Sequence, residues 1–313
     1  MNIQTDKIGR DRGLTARMIL TGFLLALTYI ALFGLLLITG IPILFVLIFG
    51  VGMVFFQYFF SDKLVLKTTG AKVVNDLEEP KLHQIIDRLS KKAEIPKPKS
   101  VANMDVEVPN AFATGRSPKH ATIAVTKGLL HRLNDQELEA VLGHELAHVK
   151  NRDVAVMTWA SLIVVIAGYL MQMMFWMSLF GGFGGGHRRE GGGQIWAMIM
   201  VAYVGIIIIY FVSQLLTMAL SRYREYAADR EGAIITGTPM HLASALRKIS
   251  GQIARIPEKD LRQVEHANAF FIIPALQGRM SIASMMSSHP STEERVKRLL
   301  EMQSQYSISN PVH

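Results

Sequence analysis

GHELAHVKNRDVAVMTWASLIVVIAGYLMQMMFWMSLF, residues Gly143 to Phe180, joins two kinds of sequence in one stretch. Its first part sets His144 and His148 four positions apart, with Glu145 directly after the first histidine. From Val154 to Phe180 no charge interrupts an apolar run longer than the roughly 20 residues that cross a hydrocarbon core. Working outward, three more such runs occur, Met18 to Ile38, Ile41 to Phe60 and Ile195 to Leu220. Buried core helices are the soluble alternative, but lengths like these belong to membrane spans.

The chain has 313 residues, half of them apolar, and a net charge of +8. The positive residues flank the apolar runs: Lys7, Arg10, Arg12 and Arg17 before the first, Lys63, Lys67 and Lys72 after the second, Lys150 and Arg152 before the third, Arg222, Arg224 and Arg230 after the fourth. By the positive-inside rule these flanks and both termini are cytoplasmic, giving two membrane hairpins. Arg188, Arg189 and Glu190 in the opposite loop run mildly against this. Charge placed this way points to the bilayer as partner and not to nucleic acid. The first run is too long for a signal-peptide core of about 7–15 residues, so an uncleaved anchor is expected. Cysteine is absent, which excludes disulfides and thiolate metal sites.

The expected fold is a mainly α integral membrane protein with four transmembrane helices and a cytoplasmic domain containing a small β-sheet. Residues 1–62 form a basic tail and the first hairpin, 63–153 the first half of the soluble domain, 154–220 the second hairpin, and 221–313 the second half. The glycine-rich loop 181–194 lacks the GK[ST] ending of a phosphate cradle and is expected to be a connector. Glu79 to Ala93 carries Leu82, Ile85, Ile86 and Leu89 at helical spacing. Ser100 to Val108, Asn110 to Thr114 and Ala121 to Val125 are β-prone pieces, expected to form a sheet with a hairpin. Asn134 followed by Glu137 is a capping-box pattern, and Leu138, Val141, Leu142, Leu146 and Val149 continue at helical spacing. The two histidines therefore lie on a helix.

On a helix, residues four apart share a face, so His144 and His148 can offer nitrogens to one zinc, with Glu145 placed as general base. A surface helix is the competing reading of this motif alone. A third ligand is available in RYREYAADREG, Arg222 to Gly232, where Glu225 can bind metal and Asp229, one turn on, can orient a ligating histidine. A solvated, charged helix end competes there. If the motif helix runs on into the third span, His148 lies about 9 Å outside the hydrocarbon, and Glu225 about 7.5 Å beyond the fourth span. Matching depth favours a common site.

NAFATG at Asn110 to Gly115, GHELAH at Gly143 to His148, NRD at Asn151 to Asp153, SRYREYAAD at Ser221 to Asp229 and SHPSTEERV at Ser288 to Val296 follow in order. With the four apolar runs they resemble the HtpX-type membrane metalloproteases of the gluzincin superfamily, to which the CAAX prenyl proteases also belong. The resemblance covers nearly the whole chain. It implies one zinc bound by His144, His148 and Glu225, with Glu145 as general base and later proton donor. It also implies a gluzincin-like protease domain, unfolded or misfolded membrane proteins as substrates, and quality control in the inner membrane of bacteria. The same zinc site would serve a prenyl-protein protease, and a scaffold without turnover is the non-enzyme alternative.

The oxyanion of peptide hydrolysis needs a positive partner, for which His289 and Arg295 are candidates with support from the resemblance; a helix cap followed by solvated charges competes. Asn110, Ala111, Phe112 and Ala113 are expected to present an edge strand to which substrate backbone adds, an internal strand being the alternative. Pro109 favours an edge. His266 and Asn268 are expected to be structural or substrate-lining, and His83, His120, His131 and His241 to lie on the surface.

Overall fold

The computed structural model describes residues 11–39, 43–179, 192–253 and 289–309. Lys7, Arg10, the turn 40–42, Arg188, Arg189, Glu190, His266 and Asn268 lie outside the described residues. The helices are α1 (Arg12–Thr39), α2 (Ile43–Thr69), α3 (Pro80–Lys92), α4 (Lys127–Arg132), α5 (Asp135–Lys150), α6 (Asp153–Leu179), α7 (Gly192–Thr236), α8 (Pro239–Ile253) and α9 (Thr292–Ser309). The strands are β1 (Lys72–Val74), β2 (Ser100–Met104), β3 (Ala111–Thr114) and β4 (Thr122–Thr126). The chain divides into two compact units, one of Met1–Thr15, Phe59–Ala155 and Ser221–His313, the other of Ala16–Tyr58 and Val156–Leu220.

In the second unit the apolar parts of α1, α6 and α7 pack through Leu25, Leu32, Leu36, Ile163, Ala167, Leu170 and Ile206. Tyr29 donates to the carbonyl of Trp159 at 2.7 Å and Thr217 to that of Ala160 at 3.1 Å, so these two hydroxyls are satisfied internally. Ile19, Phe23, Ile30, Leu37, Val201, Ile208 and Phe211 are exposed on these helices. Among the described residues, three helices are long and apolar enough to cross a membrane: Arg12–Ile38, Asp153–Leu179 and Ala197–Thr236. From Ile43 onward the remaining apolar run is helical, within α2.

In the first unit the four-stranded sheet has the order β1-β2-β4-β3, with β2 parallel to β4 and the other neighbours antiparallel. The expected β3–β4 hairpin is present. β2 is shorter than the sequence suggested, because Val106 N–H bonds back to Met104 and its carbonyl accepts from Gly128, turning the chain away. Both faces of the sheet are covered. Val101, Ile123, Val125 and Ala111 join the main core with α3 and α5, while Ala102, Met104, Phe112 and Ala124 pack on Val65 at the end of α2. Burial on both faces explains why β4 reads as a continuous run and not as an alternation.

α3 begins with Pro80 in its first turn and buries Leu82, Ile85, Ile86 and Leu89. It also buries His83, contrary to the surface position expected of it. Its ring lies 3.1 Å from the carbonyl of Val74 and contacts Asp76, tying the loop after β1 to the helix. The α5 capping box forms as the sequence indicated, with Glu137 N–H donating to Asn134 at 2.9 Å and Asn134 N–H to Glu137 at 3.0 Å. Glu137 also accepts from Ser244 and Lys248 of α8, fixing the start of the histidine helix against its neighbour.

α5 does not run on into α6. It stops at Lys150, Arg152 takes a left-handed conformation with φ of 54°, and a new helix starts at Asp153. The depth of His148 thus cannot be taken from a straight helical rise. Glu225, by contrast, sits with the fourth apolar run in the single helix α7.

Candidate metal centre

α5 sets His144 and His148 on one face, with ring planes at 88° and Nε2 atoms 3.1 Å apart. α7 delivers Glu225, whose Oε2 is 3.7 Å from Nε2 of His144 and whose Oε1 is 3.7 Å from Nε2 of His148. Two nitrogens on one tetrahedral zinc stand about 3.3–3.4 Å apart, as follows from bonds of about 2.0–2.1 Å. The three side chains could hold a metal ion, their ligand atoms all lying within 4.8 Å of one another. Glu225 Oε2 is buried and makes no hydrogen bond among the described residues, although the Arg295 guanidinium approaches it to 3.3 Å. Burial lowers the pKa of His144 below its ordinary value, against the pull of Asp229, which keeps the imidazole in the neutral form a metal requires.

The approach of α7 to α5 depends on two glycines. A β-carbon on Gly232 would lie 2.8 Å from both N and Cα of His144, and one on Gly143 would lie 2.6 Å from Thr236. Backbone thus meets backbone beside the first ligand. Gly232→Val is expected to force α7 outward, at a cost of about 1–3 kcal/mol for overpacking, and to weaken metal binding through Glu225. Calorimetric unfolding and zinc content check both; unchanged zinc affinity would contradict this role.

Asp229 lies one turn after Glu225, and its Oδ1 is 3.0 Å from Nδ1 of His144. Arg295 of α9 holds it in a fork, Nε to Oδ2 at 2.8 Å and Nη2 to Oδ1 at 2.6 Å, while Nη1 is 3.3 Å from Glu225 Oε2. Its side chain is 1% exposed. An oxyanion role was expected for Arg295, but its three nitrogens face the two carboxylates, which together raise its pKa further above the ordinary value against the desolvation of burial. Arg295→Met would leave both acids buried without their cation, and is expected to destabilise the protein by about 3–5 kcal/mol. Thermal unfolding in detergent measures this, and a loss below 1 kcal/mol would contradict it. His289 also faces Glu225, with Nδ1 3.3 Å from Oε1.

Glu145, 4% exposed, is the remaining acid of the site. Burial pushes its pKa up to about 7, with the charge of Glu225 adding and His148, the N–H of Ala113 and Arg295 opposing. A carboxyl raised in the fold contributes stability that is fully present below about pH 4.5 and is lost as pH climbs through 7. In metal-stripped protein, Glu145→Gln is therefore expected to gain stability relative to wild type as pH rises, on the order of 3 kcal/mol above pH 8. Unfolding midpoints across that range test it, and a difference independent of pH would refute it.

β3 is an edge strand, as the sequence suggested. Thr126 N–H bonds to the Asn110 carbonyl at 2.9 Å, which makes 110 and 126 a hydrogen-bonded pair in the antiparallel register. By alternation, Phe112 and Thr114 face β4 with their backbone groups, whereas those of Ala111 and Ala113 point outward. Asn110 is pinned at both ends, its own N–H donating to Thr126 Oγ1 at 2.8 Å, and Phe112 turns its ring into the Val65 cluster. The outward N–H of Ala113 is the one that reaches Glu145. A cleft lined by Ala113, Thr114, Ser117, His148 and Arg152 opens alongside.

The sequence marked every residue of this cluster and one support, Asp229, but not the support of His148. Asp153 and Arg224 lie within motifs recognised as strings, and only the fold brings them to His148, as Asp153 Oδ2 is 2.6 Å from Nδ1.

Comparison with known proteins gives the family. The family model of Peptidase family M48 matches residues 76–303. Protease HtpX homolog 2 of Methanosarcina acetivorans is 51% identical over 298 residues, 95% of this chain and 98% of that protein. Protease HtpX homolog of Moorella thermoacetica is 50% identical over 297 residues, covering 95% and 97%. Among solved structures, the crystal structure of S. mikatae Ste24p is similar in fold, with a TM-score of 0.55 at 18% identity over 91% of this chain and 67% of that one.

Proposed function

Because the chain belongs to peptidase family M48, we propose that it is a zinc-dependent endopeptidase of the cytoplasmic membrane that cleaves unfolded or misfolded membrane proteins. The observation that carries this is the junction of three parts: the buried His144–His148–Glu225 cluster, Glu145 beside it, and the edge of β3 bonded to that glutamate through Ala113.

His144, His148 and Glu225 would hold the zinc, which would supply Lewis acidity to the hydrolysis. Substrate adds to β3 as a further strand, pairing with the outward backbone groups of Ala111 and with the carbonyl of Ala113, whose N–H is held by Glu145. Such pairing reads backbone and little sequence, which suits substrates defined by being unfolded. Glu145 accepts a proton from the water as its oxygen bonds to the carbonyl carbon. As the C–N bond breaks, Glu145 returns that proton to the departing amine. His289 stands 3.3 Å from Glu225 and is the candidate donor to the carbonyl oxygen as its charge develops. Arg295 acts behind the ligands, holding Asp229 and Glu225 in place.

Four crossings, with α2 providing the fourth, and cytoplasmic termini and site follow from the basic flanks. The absence of cysteine makes a direct test available, since single cysteines can be introduced at Lys127 and Gly186. An impermeant thiol reagent added to intact cells is expected to label only position 186. Incubating the purified protein with an unfolded membrane protein and, separately, with prenylated peptides tests substrate class. Fragments from the former support the proposal; cleavage confined to prenylated peptides replaces it with the prenyl-protein reading.

A further inference from the structure

His148 has a buried partner that lies outside its own motif. The chain reverses at Arg152, whose φ of 54° is unfavourable for a residue with a β-carbon, and so returns Asp153 toward the helix it has just left. Asp153 Oδ2 then lies 2.6 Å from Nδ1 of His148. The other oxygen of Asp153 is paired with Arg224, whose Nη2 also donates to the carbonyl of Asn151 at 3.0 Å. Both groups are largely shielded from water, the side chains being 9% and 11% exposed.

We propose that Asp153, clamped by Arg224, is the positioning residue that fixes His148 as an Nε2 metal ligand, an inference that rests on the zinc-endopeptidase reading above. With the Nδ1 proton donated to Asp153, the ring's lone pair sits on Nε2. That is the atom 3.1 Å from His144 Nε2 and 3.7 Å from Glu225 Oε1. Arg224 immediately precedes Glu225, so neighbouring residues of α7 supply a ligand and the clamp on another ligand's support. The arrangement repeats that around His144, where Asp229 faces Nδ1 and Arg295 holds the carboxylate. Each histidine thus has its own carboxylate, and each carboxylate its own guanidinium. The left-handed backbone at Arg152 is what allows the second set to form, because a helix continuing past Lys150 would carry Asp153 away from the histidine face.

The test is zinc affinity by chelator competition, together with the visible spectrum of the cobalt-substituted protein, which reports the ligand field directly. Asp153→Ala is expected to weaken zinc binding by about 10–100-fold and to shift the cobalt bands. Asp153→Asn, which keeps an acceptor without the charge, is expected to fall between that variant and wild type. Arg224→Met is expected to weaken zinc in the wild-type background and to add nothing to Asp153→Ala, and this double variant also removes the unpaired buried cation. Wild type binding one zinc while Asp153→Ala and Asp153→Asn bind it equally well would overturn the inference. Equal losses from Arg224→Met in both backgrounds would overturn the clamp. Wild type that takes up no zinc would instead refute the zinc reading, and this inference with it.

Discussion

Glu145→Gln is expected to lower cleavage of an unfolded protein by about 10²–10⁴-fold, the range over which a positioned base contributes, while leaving zinc in place. The amide has nearly the shape of the carboxylate and can still accept the N–H of Ala113, so the strand and the metal cluster keep their geometry. What it cannot do is take a proton from water and return it to the amine. Single-turnover cleavage, with zinc measured on the same samples, separates the two effects. A variant that cuts at wild-type rate would remove Glu145 from the chemistry, and one that loses its zinc would make it a structural residue.

Glu225→Ala is expected to do the reverse, failing first in metal binding. It removes one of the three donors found among the described residues, leaving two imidazoles, so zinc affinity should fall by more than the 10–100-fold associated with outer partners. Loss of this carboxylate also leaves Arg295 with Asp229 as its remaining partner of the two. Metal content after dialysis against a weak chelator checks this, and zinc retained at the wild-type level would exclude Glu225 as a ligand.

These two residues were legible in the sequence for different reasons. Glu145 is fixed by its neighbours on one helix, whose capping box and apolar spacing could be read directly, and local periodicity survives folding. Glu225 is remote from the histidines in sequence; its place was legible only because it lies on the continuation of an apolar run and has an acid one turn beyond it. The same logic misled for His148, because the third run does not continue the motif helix. The interruption takes a left-handed arginine, which no periodic pattern announces.

Arg295 marks another limit. A basic residue after a helix-starting SHPST suggests solvent or substrate, yet its guanidinium is buried between two acids of α7. Burial of that kind is a property of the assembled fold and leaves no mark on residue type. Gly232 likewise reads as an ordinary helix-weakening glycine until the backbone of His144 is found against it. The edge position of β3 was legible through Pro109 and the hairpin, but which of its residues face outward required the observed pairing of Asn110 with Thr126.

The most direct test of the account is a zinc titration of metal-stripped wild-type protein with an unfolded membrane protein as substrate. Cleavage is expected to be absent without zinc, to rise with the first equivalent, and to level off at one zinc per chain. Full cleavage in the stripped protein, or one bound zinc with no cleavage at any ratio, would contradict it.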